Sequence, residues 1–144
     1  MELDRAEKRF RLTTHDYARL AQFRYVLRSF SRFSEATAEA VGLTSQHYQA
    51  MLILRAAADS RVVTINDLAH ELLIKHNSAV GLVDRLGTEG LMERARSMDD
   101  RRKVELRLTG RGREVLAQLA AAHRSELQQL GTILTDFFSE ISGE

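Results

Sequence analysis

The sequence predicts a mainly helical chain carrying one small β-hairpin. Proline is absent, so long helices meet no interruption. Apolar residues recur at steps of three and four near both ends, and after Gly90 the period shifts from helical to alternating. With 144 residues, 44% of them hydrophobic and 28% charged, the chain has the composition of one ordinary soluble domain with a full core.

The first dozen residues mix Arg5, Lys8, Arg9 and Arg11 with Glu2, Asp4 and Glu7 and present no core face. This arm is expected to fray. A helix capped at Thr13 or Thr14, with Asp16 following, should run to about Ala40, with Leu20, Phe23, Leu27, Phe30, Thr37 and Val41 spaced near sevenfold. Gly42 suits a left-handed terminal residue. Thr44 caps the next helix, whose apolar residues lie on two sides: Tyr48, Met51 and Leu52, then Ala50, Ile53, Leu54 and Ala57. Burial on both faces follows.

Thr64 with Asp67 three residues later marks another helix start. After Leu73-Ile74-Lys75, the residues Ala79, Leu82, Val83 and Leu86 form the inward stripe of a second helix. Its opening residues, Lys75, His76, Asn77 and Ser78, are polar and rich in donors, with Asn77 or Ser78 able to cap. Two helices so joined have the form of a helix-turn-helix, which brings the start of the second helix to base edges and phosphates. Gly81 and Gly87 each cost a helix interior about 1 kcal/mol relative to Ala, so this helix is expected to be short or locally mobile.

The helix runs out between Gly87 and Gly90. Val104, Leu106 and Leu108 then alternate with Lys103, Glu105 and Arg107, a strand with one face buried and one wet, and Leu91 to Arg96 can supply its partner. The connection, Ser97-Met98-Asp99-Asp100-Arg101-Arg102, is too charged to be buried and should project into solvent. A final helix carries Leu116, Leu119, Ala120, His123, Leu127, Leu130, Leu134, Phe137 and Ile141 at helical spacing, bent or broken at Gly131. The first and last stripes have no evident partner in one chain, and Phe30, Phe33, Phe137 and Phe138 would be costly in water. Each large apolar side chain recovers about 1.5–3 kcal/mol on burial. The two ends are therefore expected to interleave with those of a second copy, as a homodimer.

Charge is polarised. From Arg94 to Arg113 eight cations face three acids, a net +5, whereas Glu114 to Glu144 carries a net −4. The near-neutral total of +1 conceals a positive region that includes the hairpin and adjoins the exposed helix start.

Four linked segments carry a resemblance: Leu82-Val83-Asp84-Arg85-Leu86; Glu89-Gly90-Leu91-Met92-Glu93-Arg94; Asp100-Arg101-Arg102; and Leu108-Thr109 with Gly112. In that order they resemble the winged helix-turn-helix of the MarR (multiple antibiotic resistance regulator) family, over about Thr64 to Gly112. The resemblance implies a winged helix-turn-helix over 44–113, with helices 13–42 and 114–142 forming a dimerisation domain. It also implies a dimeric, sequence-specific regulator of double-stranded DNA, most often a repressor. Pseudo-palindromic operators follow from twofold symmetry. A small aromatic or anionic effector, bound in the crevice between the dimer helices and the reading domain, is expected to change the angle between subunits. Tyr17, Tyr25, His47 and Tyr48 are candidates to line that crevice.

The DNA-binding residues form two sets. Lys75, His76, Asn77 and Ser78 belong at the major groove, with Asn77 suited to adenine because its amide both donates and accepts. Arg101 and Arg102 belong at phosphate or in the minor groove, with Asp100 orienting Arg102; Arg85 is structural or phosphate-facing. Each has a plainer reading. Asn77 can be only a cap, His76 only a solvated residue, and Arg102 with Asp100 only a surface ion pair.

Other chemistry finds little support. Cysteine is absent, which excludes disulfides, thiolate clusters and a thiol switch. His70-Glu71 opens like a zinc-protease helix, but Ile74 stands where the second histidine belongs. His15, His47 and His123 are scattered, and neither a phosphate loop nor a nucleophile elbow is present. We expect no enzyme and no cofactor. No apolar run is long enough for a membrane span and no signal core opens the chain, which points to the cytoplasm. A contrasting function is a winged-helix interaction module whose basic hairpin meets an acidic protein.

Overall fold

The computed structural model describes residues 2–98, 100 and 102–141. Among them the chain forms α1 (Glu2–Phe10), α2 (Thr14–Glu39), α3 (Ser45–Ala57), α4 (Ile65–Leu72), α5 (His76–Thr88), β1 (Met92–Arg96), β2 (Val104–Leu108) and α6 (Gly110–Ile141). The mainly helical class with one hairpin is the observed one. Two compact units divide the chain, one from the described parts of 1–33 and 125–144, the other from 34–124.

Local chemistry sets most boundaries. Thr13 and Asp16 exchange hydrogen bonds across the start of α2, and Thr64 with Asp67 does the same for α4. The Thr64 amide hydrogen bond holds the Asp67 carboxyl below its usual range. Gly42, at φ +78°, turns the chain out of α2, and Gly90, at φ +73°, turns it out of α5.

Several expectations need correcting. The amino-terminal arm is helical as α1, because an unbroken run of helix-compatible residues is supported by an Asp4–Lys8 pair at 2.9 Å and needs no core face. Neither Gly81 nor Gly87 interrupts α5. Its buried stripe of Ala79, Leu82, Val83 and Leu86 outweighs the glycine penalty, and Leu86 is fully buried. Likewise α6 runs through Gly131 unbroken. Helix α3 buries Tyr48, Ala50, Met51 and Leu54 but leaves Leu52 exposed, so burial on both sides is incomplete.

The core of the 34–124 unit joins Met51 and Leu54 of α3, Leu68 of α4, Val83 and Leu86 of α5, Leu91, Met92, Leu106 and the first turns of α6. Strands β1 and β2 pair antiparallel, with Met92 opposite Leu108, Arg94 opposite Leu106 and Arg96 opposite Val104. These six side chains share one face of the hairpin. Only its base reaches the core: Leu106 is buried, whereas Val104, near the tip, is exposed, contrary to its expected burial. From the edge of β2 that β1 leaves free, the Leu106 N–H donates to the Val63 carbonyl at 2.9 Å, tying the hairpin to the segment before α4.

Where the hairpin returns to α6, backbone and side chain lock together. The Thr109 N–H donates to the Leu91 carbonyl at 3.1 Å, and the Thr109 hydroxyl to the Gly90 carbonyl at 2.7 Å. Gly112, whose N–H donates to the Thr109 hydroxyl at 3.0 Å, passes so close to Leu91 that a Cβ would collide with its carbonyl group.

In the other unit, Phe23 stacks on Phe137 with ring centroids 5.2 Å apart, and Phe137 meets Phe138 edge-on. Arg19 pairs with Glu140 and donates to the Phe137 carbonyl at 3.4 Å. Phe137 is therefore buried within its own chain, unlike the expectation that it lacks a partner. Leu20, Tyr25, Leu127, Ile133 and Phe138 remain exposed. Among the described residues, no helix is long and apolar enough to cross a membrane.

Candidate nucleic-acid interface

The interface begins at the turn from α4 to α5. Leu73, the last residue of the α4 cap, adopts a left-handed backbone at φ 56° and is almost wholly exposed. Two residues on, Lys75 is the N-cap of α5 without a side-chain cap hydrogen bond, and His76, Asn77 and Ser78 fill the first turn. All four side chains are exposed. Asn77 and Ser78 therefore do not cap, which corrects the sequence expectation: the helix starts earlier, at His76. The opening amide groups of such a helix are unsatisfied by helix geometry and, with the helix dipole, suit a phosphate.

Arg85 lies on the same helix but is engaged. Its guanidinium pairs with Glu89 at 3.1 Å and donates to the Gly42 carbonyl at 3.4 Å, linking α5 to the turn after α2. Of its two readings, the contacts favour the structural one. Asp84 pairs with Arg94 of β1 at 2.6 Å, holding the exposed helix to the base of the hairpin. No local pattern in the sequence signals that pair, because its members stand ten residues apart in different elements.

At the hairpin tip the Asp100 carboxylate accepts from the backbone N–H of Arg102 at 3.0 Å, and the Lys103 N–H donates to the Asp100 carbonyl at 3.0 Å. Asp100 thus shapes the turn, and its side chain forms no ion pair with that of Arg102. Asp100 meets Arg102 through the Arg102 backbone N–H. Arg102 is exposed, as are Arg96 and Lys103 beside it. Arg101, the other expected tip residue, lies outside the described residues. Arg96 and Lys103 add to the positive charge of this region, but no motif distinguishes them from the other cations there.

Two crevice candidates prove to be packing groups. Tyr48 stacks on His123 with centroids 4.0 Å apart, and His123 meets the Ser34 hydroxyl at 2.8 Å. His47 completes the cap of α3: its Nδ1 accepts from the Thr44 N–H at 3.0 Å, while its own N–H donates to the Thr44 hydroxyl. Burial, then the Arg85 charge, lowers the His47 pKa below its ordinary 6.5, against a smaller opposing influence of Glu35. The neutral ring is thus the folded form. The resulting stability is full above pH 6.5 and declines as pH falls from there through the lowered value. His47→Gln keeps a Thr-x-x-Gln capping box without the titration. Thermal melts between pH 7.5 and 5 should show a shallower decline for that variant; an unchanged decline would exclude His47 as its source.

These arrangements match known proteins. The sequence model of the MarR family matches residues 41–103, which contain the capped helix pair and most of the hairpin. Over those residues the chain is similar to the MarR family. The homoprotocatechuate degradative operon repressor of Escherichia coli is 29% identical over 109 residues, covering 67% of this chain and 72% of the repressor. Among solved structures, a mutant of S. aureus MepR superposes with a TM-score of 0.71 at 19% identity, covering 90% of this chain and 99% of that one. Another MepR mutant, bound to an oligodeoxyribonucleotide, gives 0.65 at the same identity and coverages. The solved structures share the winged-helix fold, and the relatives matched in sequence are named as transcriptional repressors or regulators.

Proposed function

We propose that this chain is a MarR-family regulator that acts as a homodimeric repressor of pseudo-palindromic operators, relieved by a small aromatic or anionic effector. The observation that carries the reading is the exposed, uncapped start of α5, with Lys75, His76, Asn77 and Ser78 open to solvent, together with the cationic hairpin tip. Lys75 and His76 serve phosphate or base edges, Asn77 reads a base, Ser78 assists it, and Arg102, with Arg101, holds the backbone. The apolar residues left exposed on α2 and α6 support dimerisation, and a relative named as an operon repressor supports the sign of regulation. The alternative of an acidic protein partner has no observation of its own in its favour.

Footprinting on genomic fragments tests the reading directly: two protected half-sites about one DNA turn apart are expected. Absence of any sequence-specific protection would overturn it. Arg102→Ala should weaken operator and random DNA alike and reduce the salt slope by about 1 for each phosphate it no longer neutralises. Equal affinity of variant and parent for both DNAs would remove Arg102 from the interface.

The dimer makes a separate prediction. Deleting the residues after Gly131 removes Ile133, Leu134, Phe137 and Phe138. Sedimentation should then find a monomer at concentrations where the full chain is a dimer. A folded truncated chain that remains dimeric assigns the seam elsewhere.

A further inference from the structure

Of the described methionines, Met51 and Met92 are buried in the core, whereas Met98, in the hairpin loop, is 92% exposed. A lone apolar side chain in water is ordinary on a protein surface and implies nothing by itself. Two further observations set Met98 apart. The first is the loop that carries it. The Ser97 N–H donates to the Lys103 carbonyl and the Lys103 N–H to the Asp100 carbonyl, each at 3.0 Å, while the Asp100 N–H donates to the hydroxyl of buried Ser97 at 3.4 Å. With the Arg102 N–H held by the Asp100 carboxylate at 3.0 Å, the loop is braced across its width. Met98 is therefore presented on fixed backbone, and although it borders a hollow with Ser60 and Val62 it buries almost nothing there.

The second observation is its charged frame. Arg96, Arg102 and Lys103, in the same loop and its flanks, are all exposed and draw it towards phosphate. Met98 has no charge to offer a phosphate and no donor to offer a base edge. On a duplex its side chain can gain only from thymine methyl groups, sugar walls and base faces. The methyl groups face the major groove, where the start of α5 belongs; the minor groove, about 6 Å wide, admits single side chains rather than a helix. An unbranched, flexible thioether suits that space.

We propose that Met98 is an apolar wedge: the hairpin carries its side chain into the minor groove, where it enters one pyrimidine–purine step of each half-site and partly unstacks it. This rests on the reading of the hairpin as a DNA-contacting wing. Apolar side chains inserted from the minor groove unstack and kink the duplex, and the steps TA and CA/TG yield most readily. The wedge thus adds a sequence preference at a position where no base hydrogen bond is made, separate from the hydrogen-bonded readout by Asn77.

The test uses the full chain and the operator found by footprinting, with 2-aminopurine moved through one half-site. One position should brighten on binding of the parent and of Met98→Leu, and stay dim with Met98→Ala and Met98→Gln. Those two variants should bind about tenfold more weakly for each half-site, the loss expected when one large apolar side chain is no longer buried. Their salt slope should equal the parent's, because no cation is lost. Replacing the brightened step by AA should weaken the parent severalfold and leave Met98→Ala unaffected. Sequence-specific protection with no bright position, or with Met98→Ala equal to the parent in affinity, overturns the wedge and leaves the regulator reading standing. A chain that protects no DNA overturns both.

Discussion

Gly112→Ala is expected to lower the stability of the chain by about 3 kcal/mol, the upper part of the range for overpacking, because the obstacle is backbone rather than a movable side chain. A Cβ at this position would lie 2.9 Å from the carbonyl carbon of Leu91 and closer still to its oxygen. Relief requires α6 to move away from the hairpin, and that movement breaks the Thr109 hydrogen bonds to Gly90 and Leu91. Thermal unfolding by circular dichroism should show a midpoint lower by about 10 °C for a domain of this size. Gly110→Ala is the control, since nothing lies within 4 Å of a Cβ there. If both variants melt close to the parent, the tight joint between α6 and Leu91 is misassigned.

Asn77→Ala should separate recognition from folding. Asn77 sits in the first turn of α5, exposed and not at the cap, so truncation removes no cap and gives the helix a better helix former. Stability is expected to hold or rise slightly. Affinity for the preferred operator should fall by about 1–3 kcal/mol per half-site, with discrimination relaxed at one base position, while binding to random DNA changes little. These opposite signs are readable from one melting curve and one competition titration. Unaltered base preference would show that Asn77 does not read sequence; an equal loss on operator and random DNA would reassign it to the phosphate backbone.

Both predictions depend on positions whose residue types are conspicuous in the sequence while their surroundings are not. Gly112 belongs to the pattern that suggests the family, but its reason is the passage of Leu91, twenty-one residues earlier in the chain. Asn77 is recognisable as polar and helix-initial, yet whether it caps depends on the helix starting at His76 rather than later. The roles of Arg85 and Asp100 are open in the sequence for the same reason. Their short-range chemistry allows several partners, and Glu89, Gly42 and the Arg102 amide are the ones the folded chain supplies.

Beyond the amino-terminal arm, the sequence by itself determined which segments are helix and which are strand. Capping pairs such as Thr64–Asp67, the stripe from Ala79 to Leu86 and the alternation ending at Leu108 act over a few residues, where backbone geometry leaves few choices. Only the tertiary structure decided what each element leans on: Asp84 against Arg94, Phe23 against Phe137, Val63 against Leu106. Such contacts depend on how distant segments pack, and no local period or cap encodes that distance.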